Sequence, residues 1–255
     1  MNTRSSCSSF FISLITSCLI SQPLLADQTF GDFIYATNAE GVSIIDFTNS
    51  TASKVVIPAR IAGKPVIRIH KNAFLNRESV VSVKIPEGVT SIGNSAFSGC
   101  NRLTNLTLPS SLTEIGRGSF AGCFSLLSIS IPSSVTSLGS AALAGCRRLR
   151  SVSLPPGLTS LPADTFFGCD SLEAVDIPQG VTDIGKRAFS GCVKLKTVDI
   201  PAGVVKVKDY VFSGCWGLKT ITIPDGVIEI KFRALRRQCM TETYSPDRKT
   251  PRNPA

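Results

Sequence analysis

The chain is built from a unit of 23 residues. One column of this repeat is proline: Pro86, Pro109, Pro132, Pro155, Pro178, Pro201 and Pro224. A second column is cysteine: Cys100, Cys123, Cys146, Cys169, Cys192 and Cys215. Leucine forms a third column: Leu103, Leu126, Leu149, Leu172, Leu195 and Leu218. A fourth holds phenylalanine with one leucine: Phe97, Phe120, Leu143, Phe166, Phe189 and Phe212. Four columns in one register predict a stacked solenoid, because a single unit cannot bury its own apolar face.

One unit, residues 103–126, shows how each turn of the solenoid is made. Leu106 and Leu108 alternate with polar residues, which predicts a short strand with one buried face. Pro109 ends that strand because proline cannot donate to a ladder. Gly116 then permits a tight bend, and the segment around Phe120 reads as a single helical or 3₁₀ turn that points the ring inward.

The unit C-x-x-L-x-x-L-x-L-P-x-x-L-x-x-I-G-x-x-A-F-x-G resembles the BspA-like class of bacterial leucine-rich repeats. The resemblance covers about residues 55–239. It implies a leucine-rich-repeat solenoid of the strand-dominated α/β type. In such a fold a parallel β-sheet lines the concave face, with short helical or 3₁₀ turns and extended segments elsewhere. It also implies surface attachment or contact with partner molecules.

The pattern divides the chain into four parts. Residues 27–57 are predicted to cap the solenoid, with Phe33–Tyr35 and Val42–Ile45 pairing as a hairpin across Asn38–Gly41. Residues 58–239 are the predicted solenoid, whose first unit carries a five-residue insertion near residues 59–64. Residues 240–255 lose the periodicity and are predicted to be a disordered basic tail.

Residues 1–26 are typical of an export signal. Arg4 precedes a short apolar stretch, and Ala26 offers a small residue for cleavage. Cys18 sits in a sequence similar to a lipoprotein box, so a lipid anchor at that residue is an alternative to full secretion. No later stretch is apolar for 18 residues, and the mature chain is therefore expected to have no transmembrane segment. The predicted location is secreted or cell-surface.

Composition argues against several other functions. The formal charge is +9, but residues 231–255 alone hold seven of the 27 Lys and Arg residues, so no nucleic-acid partner is expected. The cysteines lack a C-x-x-C pair, so no metal or cofactor is predicted, and their regular inward position favours buried free thiols over disulfides. His70, the sole histidine, lacks a recognisable catalytic partner.

The outward positions of the predicted concave strands form the candidate binding face. They are small, polar and rich in hydroxyl groups: Lys84, Asn105, Thr107, Ser128, Ser130, Ser151, Ser153, Asp176, Thr197, Asp199, Thr220 and Thr222. Phe124 and Trp216 follow column cysteines at a variable position and are added as aromatic anchors at the edge of this face. Incidental edge packing is an equal interpretation of these two rings.

Asp176 and Asp199 support an alternative, because carboxylates on neighbouring rungs should lie about 5 Å apart. That spacing fits a retaining glycosidase or an oxygen-ligated cation. Without a visible cleft or aromatic sugar platform, two solvated carboxylates are the preferred interpretation, and the chain is predicted not to be an enzyme.

The sequence therefore predicts a secreted or surface-associated binding module that mediates protein–protein interaction or adhesion. Its expected partner is a protein or a surface glycan. A structural surface-coat protein is the main alternative, and a polysaccharide-active enzyme using Asp176 and Asp199 is the less favoured one.

Overall fold

A computed structural model describes residues 28–231 and 233–235 of the chain. The predicted export signal with Cys18, Cys239, and the predicted basic tail lie outside these ranges. The described part is a strand-dominated solenoid of stacked, mostly parallel rungs. The predicted solenoid class is thus confirmed, with differences in how the rungs are bonded.

Three antiparallel strands begin the structure: β1 (Gln28–Phe30), β2 (Phe33–Thr37) and β3 (Val42–Phe47). β2 pairs with β3 in a register that joins Thr37 to Val42. The connection is tight because the Asn38 side-chain oxygen accepts hydrogen bonds from the amides of Glu40 (3.0 Å) and Gly41 (2.9 Å). β3 then pairs in parallel with β6 (Lys64–Ile69), so the meander passes directly into the solenoid. The insertion in the first unit forms β5 (Arg60–Ile61), which folds back antiparallel on β6.

The first row of solenoid strands precedes the proline column. It consists of three-residue strands: β4 (Lys54–Val56), β7 (Ser82–Lys84), β9 (Asn105–Thr107), β11 (Ser128–Ser130), β13 (Ser151–Ser153), β16 (Thr197–Asp199) and β18 (Thr220–Thr222). Their parallel pairing joins β4–β7–β9, β11–β13 and β16–β18. Residues 174–176 hold the equivalent position in their rung but form no ladder. The single continuous sheet expected from the sequence is therefore three shorter ladders in one row.

A second row of strands follows the proline column. Its members have two residues each: β8 (Ser91–Ile92), β10 (Glu114–Ile115), β12 (Ser137–Leu138), β14 (Ser160–Leu161), β15 (Asp183–Ile184), β17 (Lys206–Val207) and β19 (Glu229–Ile230). β8, β10 and β12 extend the sheet of the N-terminal cap through β6. The sequence predicts only an extended segment here, and the structure makes it a second parallel face of the molecule.

The predicted helical or 3₁₀ turns are consecutive hydrogen-bonded turns instead, and no described residue is helical. Several amides of these turns donate hydrogen bonds to the next rung and not within their own turn. Gly118, Phe120 and Gly122 donate to carbonyls of the next rung over 2.7–2.9 Å. An amide that bonds along the solenoid axis cannot also bond within its own turn, so a helix does not form.

The core is a stack of identical layers. Phe74, Phe97 and Phe120 lie with ring centroids 4.8 and 5.6 Å apart, and Phe166, Phe189 and Phe212 continue the stack at 5.3 and 5.4 Å. Leu143 takes the place of a ring between the two groups. Phe47 of the cap stacks on Phe74 at 5.2 Å, so the aromatic column reaches into the N-terminal meander.

The cysteine column lies beside the rings and is bonded to them. Each thiol donates a hydrogen bond of 3.0–3.2 Å to the main-chain carbonyl of the phenylalanine-column residue of the preceding rung, as Cys123 does to Phe97. All six cysteines are buried and none is in a disulfide. The interior thus joins neighbouring rungs through sulfur as well as through apolar contact.

Adjacent rungs approach closely at the bends where a glycine follows a two-residue strand. A side-chain carbon built on Gly139 would lie 2.2 Å from the Arg117 amide nitrogen, and one built on Gly185 would lie 2.3 Å from the Ala163 amide nitrogen. Glycine at these bends therefore serves rung-to-rung packing, beyond the tight bend that the sequence predicts.

Candidate functional site

The strand face is the surface made by the outward side chains of the three-residue strands. In β11, Ser128 and Ser130 are exposed while Ile129 is buried, as the pleat of a strand requires. Parallel pairing places Ser128 beside Ser151 and Ser130 beside Ser153. The face is therefore a regular array in which like positions recur at the strand spacing of about 4.8 Å.

Most residues of the predicted binding face are exposed where the sequence places them. Towards the N-terminal end, Lys84 lies beside Thr107 and Ser82 beside Asn105. Towards the C-terminal end, Thr197 lies beside Thr220 and Asp199 beside Thr222. These side chains share one surface, which makes it suited to contact with an extended partner.

Asp176 and Asp199 are exposed on neighbouring rungs of the strand face. A retaining glycosidase needs its paired carboxyl groups in a cleft that holds the sugar and excludes water. The groove described below lies on the other side of Thr197 and includes neither aspartate. Among the described residues, no group of three or more His, Cys, Asp or Glu side chains could hold a metal ion. Asp176 and Asp199 are thus two exposed carboxylates outside that groove.

Phe124 and Trp216 occupy the same register position but are not neighbours. Four rungs separate them, or about 19 Å along the solenoid. The Arg147 guanidinium lies over the Phe124 ring, 5.1 Å from its centroid. Trp216 is more open, with 59% of its surface exposed. The two rings therefore cannot form one aromatic site, and Trp216 is the better anchor of the two.

A groove of about 610 Å³ crosses three rungs in the C-terminal half of the solenoid. Its charged lining consists of Glu173, Lys194, Lys196 and Lys219. Val193 and Gly217 form part of its floor, and Thr197 and Thr220 of the strand face close one side. We call this feature the basic groove. It includes Thr197 and Thr220 of the predicted strand face, and its lining residue Gly217 follows the predicted aromatic anchor Trp216 in the chain.

The charges of the basic groove are only partly compensated. Lys196 Nζ lies 2.6 Å from Glu173 Oε2. Hydrogen bonding and attraction to Lys196, with further attraction to Lys194 and Arg150, hold the pKa of Glu173 below its usual value. Within residues 28–231, Lys194 and Lys219 have no carboxylate within ion-pair distance. An anionic group entering the groove would therefore meet unpaired ammonium groups.

The sequence analysis missed the lysines of this groove. Lys194 lies two residues after Cys192. Lys196 and Lys219 belong to the column four residues after the cysteine column, which reads Thr104, Leu127, Arg150, Glu173, Lys196 and Lys219. The change from neutral to charged side chains along that column is visible in the sequence. The groove itself is not, because it depends on how far the loops of adjacent rungs stand apart.

The threonine column on the second row of strands was also missed. Thr90, Thr113, Thr136, Thr159 and Thr182 are all exposed and recur at the 23-residue interval. Thr113 Oγ1 donates to the Thr90 carbonyl over 3.1 Å. Such bonds satisfy hydroxyl groups within the solenoid, so this column stabilises the stacking of rungs.

Stacked parallel strands, a buried column made mostly of phenylalanine side chains and no helix in the described ranges define a leucine-rich-repeat solenoid. The model of the BspA type leucine-rich repeat region matches residues 67–196 and 145–250, in six copies. Since these matches cover well over half of the sequence, the chain belongs to the BspA-type leucine-rich repeat family. No curated protein has a sequence that matches this chain significantly.

Two solved structures show the same architecture. A leucine-rich repeat protein of T. pallidum is 29% identical, with a TM-score of 0.59 over 80% of this chain and 85% of that chain. A leucine-rich repeat protein of Eubacterium ventriosum is 24% identical, with a TM-score of 0.61 over 88% of this chain and 55% of that chain. The second likeness concerns the fold alone, and this chain spans about half the length of that protein.

Proposed function

We propose that the protein is a secreted or surface-associated binding module that mediates protein–protein interaction or adhesion through its strand face. The observation that carries this proposal is the array of exposed polar side chains on paired strands, such as Ser128 beside Ser151 and Thr197 beside Thr220. Paired strands hold side chains at fixed spacing, so a partner meets a surface that needs little ordering on binding.

Two observations support the proposed secreted or surface location. Residues 1–26 have the pattern of an export signal, and the family resemblance implies roles at bacterial surfaces. In residues 28–231 and 233–235, no helix has the length and apolar character that crossing a membrane requires. The proposal leaves the choice between release and a lipid anchor at Cys18 to direct measurement, namely the mass of the mature N-terminus.

The binding proposal is tested by blocking the strand face with bulky charge. Full-length mature protein is compared with Ser128→Lys/Ser151→Lys for binding to immobilised host and bacterial surface proteins. Both serines are exposed, so the variant should fold. We expect at least a tenfold loss of affinity for a partner that docks on this face, because two lysines obstruct the centre of the array.

The matched control is Thr136→Lys/Thr159→Lys, which adds the same charge to the second row of strands. Those threonines are also exposed. Binding should survive in this control. Equal loss in both variants would contradict a role for the strand face, and self-association without any partner would favour a structural surface coat.

A further inference from the structure

A strip of positive charge runs along the loops that follow the cysteine column in the C-terminal half. Six basic residues belong to this strip: Arg147, Arg148, Arg150, Lys194, Lys196 and Lys219. Its acidic members are Asp170 and Glu173, and the Lys196–Glu173 contact is the one ion pair described within it. A net positive strip with free ammonium groups favours an anionic ligand.

The positively charged strip runs along the solenoid axis. The basic groove crosses the rungs of Glu173, Lys196 and Lys219, which occupy one register position. Equivalent positions on adjacent rungs recur about every 4.8 Å. A linear ligand that runs along the solenoid axis would therefore meet a new charged side chain at each rung.

The neutral groups of the groove are those that a sugar chain uses. Thr197 and Thr220 present exposed hydroxyl groups on one side. Trp216 precedes the lining residue Gly217 in the chain; 59% of its surface is exposed, and its indole Nε1 lies beside Gly214, outside the lining of the groove. A flat, exposed indole packs against the apolar face of a pyranose ring, and hydroxyl groups bond to its polar edge.

An acidic peptide fits this groove less well. An extended peptide gains much of its affinity by adding a strand to an open sheet edge. Here Thr197–Asp199 and Thr220–Thr222 are already paired with each other beside the groove. Residues also advance by about 3.3 Å in an extended peptide, which does not match the rung spacing.

We propose that the basic groove binds a linear anionic polysaccharide, with its acidic groups on Lys194, Lys196 and Lys219 and a sugar ring against Trp216. This inference rests on the proposed binding function and names a ligand class and a site for it. The remainder of the strand face, such as Ser128 and Ser151, lies outside the groove lining and remains free to contact a protein partner at the same time.

The test uses the full mature chain and four defined probes: a sulfated uronate oligosaccharide, an unsulfated uronate oligosaccharide, neutral dextran and poly-glutamate. Titration calorimetry gives the affinity. Trp216 is the sole tryptophan and adjoins the lining residue Gly217 in the chain, so its fluorescence reports on a ligand that extends from the groove over this ring. We expect saturable binding of at least one uronate probe with a change in Trp216 emission, weakened by salt, and no binding of dextran.

Two variants locate the site. Lys194→Gln/Lys219→Gln should weaken uronate binding roughly tenfold, because each removes an unpaired cation from an anionic ligand. Lys54→Gln/Lys71→Gln removes the same charge from exposed positions at the N-terminal end and should leave the affinity within about twofold. Trp216→Ala should weaken uronate binding further without changing the salt dependence.

Three results would overturn the proposal. They are the absence of uronate binding, equal weakening by the two double-lysine variants, and poly-glutamate binding that matches uronate binding in every variant. The last would assign the groove to an acidic protein segment. The strand-face experiment is independent of these results, since its variants leave the groove lysines in place, so failure of the glycan inference and failure of the binding function are distinguishable.

Discussion

Two phenylalanines that are adjacent in the sequence, one in the aromatic column and one outside it, lie in opposite environments. Phe166 is fully buried and stacks on Phe189, while Phe167 is 44% exposed and lies under the Arg187 guanidinium. The two residues are of the same type and are adjacent in the sequence. Any difference in their contribution to stability therefore reports on burial.

Phe166→Ala should lower the free energy of unfolding by about 3–5 kcal/mol, because it leaves a cavity between stacked rungs that the rigid ladders cannot close. Phe167→Ala should cost less than about 1 kcal/mol, mostly from the lost contact with Arg187. Urea denaturation of the two variants measures both values. Similar losses in the two would contradict the stacked arrangement of the core.

At the scale of the element, the cysteines of the column share one buried environment. Burial raises the pKa of the Cys100 and Cys146 thiols to about 12, and it raises the pKa of Cys123, Cys169 and Cys192 well above the usual value. Low thiolate content and burial make these sulfurs unreactive in the folded protein.

The raised pKa gives stability a defined pH dependence. The Cys146 pKa rises on folding from 9.0 to about 12. The stabilising effect is therefore complete below pH 9 and is lost as pH rises from about 9 to about 12, because the unfolded chain releases the proton first. In Cys146→Ala under reducing conditions, the unfolding free energy should fall less steeply across this window. The difference from wild type should be about 1.4 kcal/mol per pH unit.

Val135→Ala is the control for this prediction. Val135 is fully buried and does not titrate. The substitution should lower stability by an amount that does not change with pH. A slope in Cys146→Ala equal to that of wild type would show that the thiol is accessible to water.

The rungs and their exposed faces could be predicted from the sequence, because one strict interval fixes both strand position and side-chain direction. The backbone of the turns could not. Ala141, Asp164, Arg187 and Tyr210 all have φ near +60°, although none is glycine. The amides of Ala141, Asp164 and Arg187 donate to carbonyls of the next rung, as Ala141 does to Ala163 over 2.8 Å, and these bonds favour that conformation. A requirement set by the adjacent rung leaves no mark in the local sequence.

Some features of the candidate site could also be predicted from the sequence, and others could not. Exposure of Ser128 and Thr197 followed from alternation along a strand. The meeting of Lys194 and Lys219 in one groove did not, because it joins loops of two rungs whose separation depends on side-chain packing. Sequence reasoning therefore found one rim of the groove and missed its lysines.

At the scale of the whole molecule, the solenoid is a one-dimensional stack in which each rung contacts only its neighbours. Deletion of residues 124–146 removes one complete unit and joins Cys123 to Arg147 in register. The shortened protein should fold cooperatively, with Phe120 stacked directly on Phe166 in place of Leu143. Circular dichroism should keep its shape, and the urea m-value should fall with the surface buried.

Deletion of residues 124–145 is the matched control, since it removes one residue fewer and shifts every later column. It should lose cooperative unfolding, because each buried side chain beyond the junction moves out of line with the rung before it. Equal stability of the two deletions would show that inter-rung register does not hold the fold together.

The thiol column also sets a time limit on folding. In an oxidising compartment, an unfolded chain exposes cysteines that recur every 23 residues and are free to join in many combinations. In the folded protein, each column sulfur is buried and donates a hydrogen bond to a main-chain carbonyl, as Cys169 does to Leu143. Burial keeps oxidants away from these sulfurs. Folding and random oxidation are therefore competing reactions. In such a compartment, a molecule that folds first is protected while it stays folded, whereas one that unfolds again is exposed to scrambled disulfides.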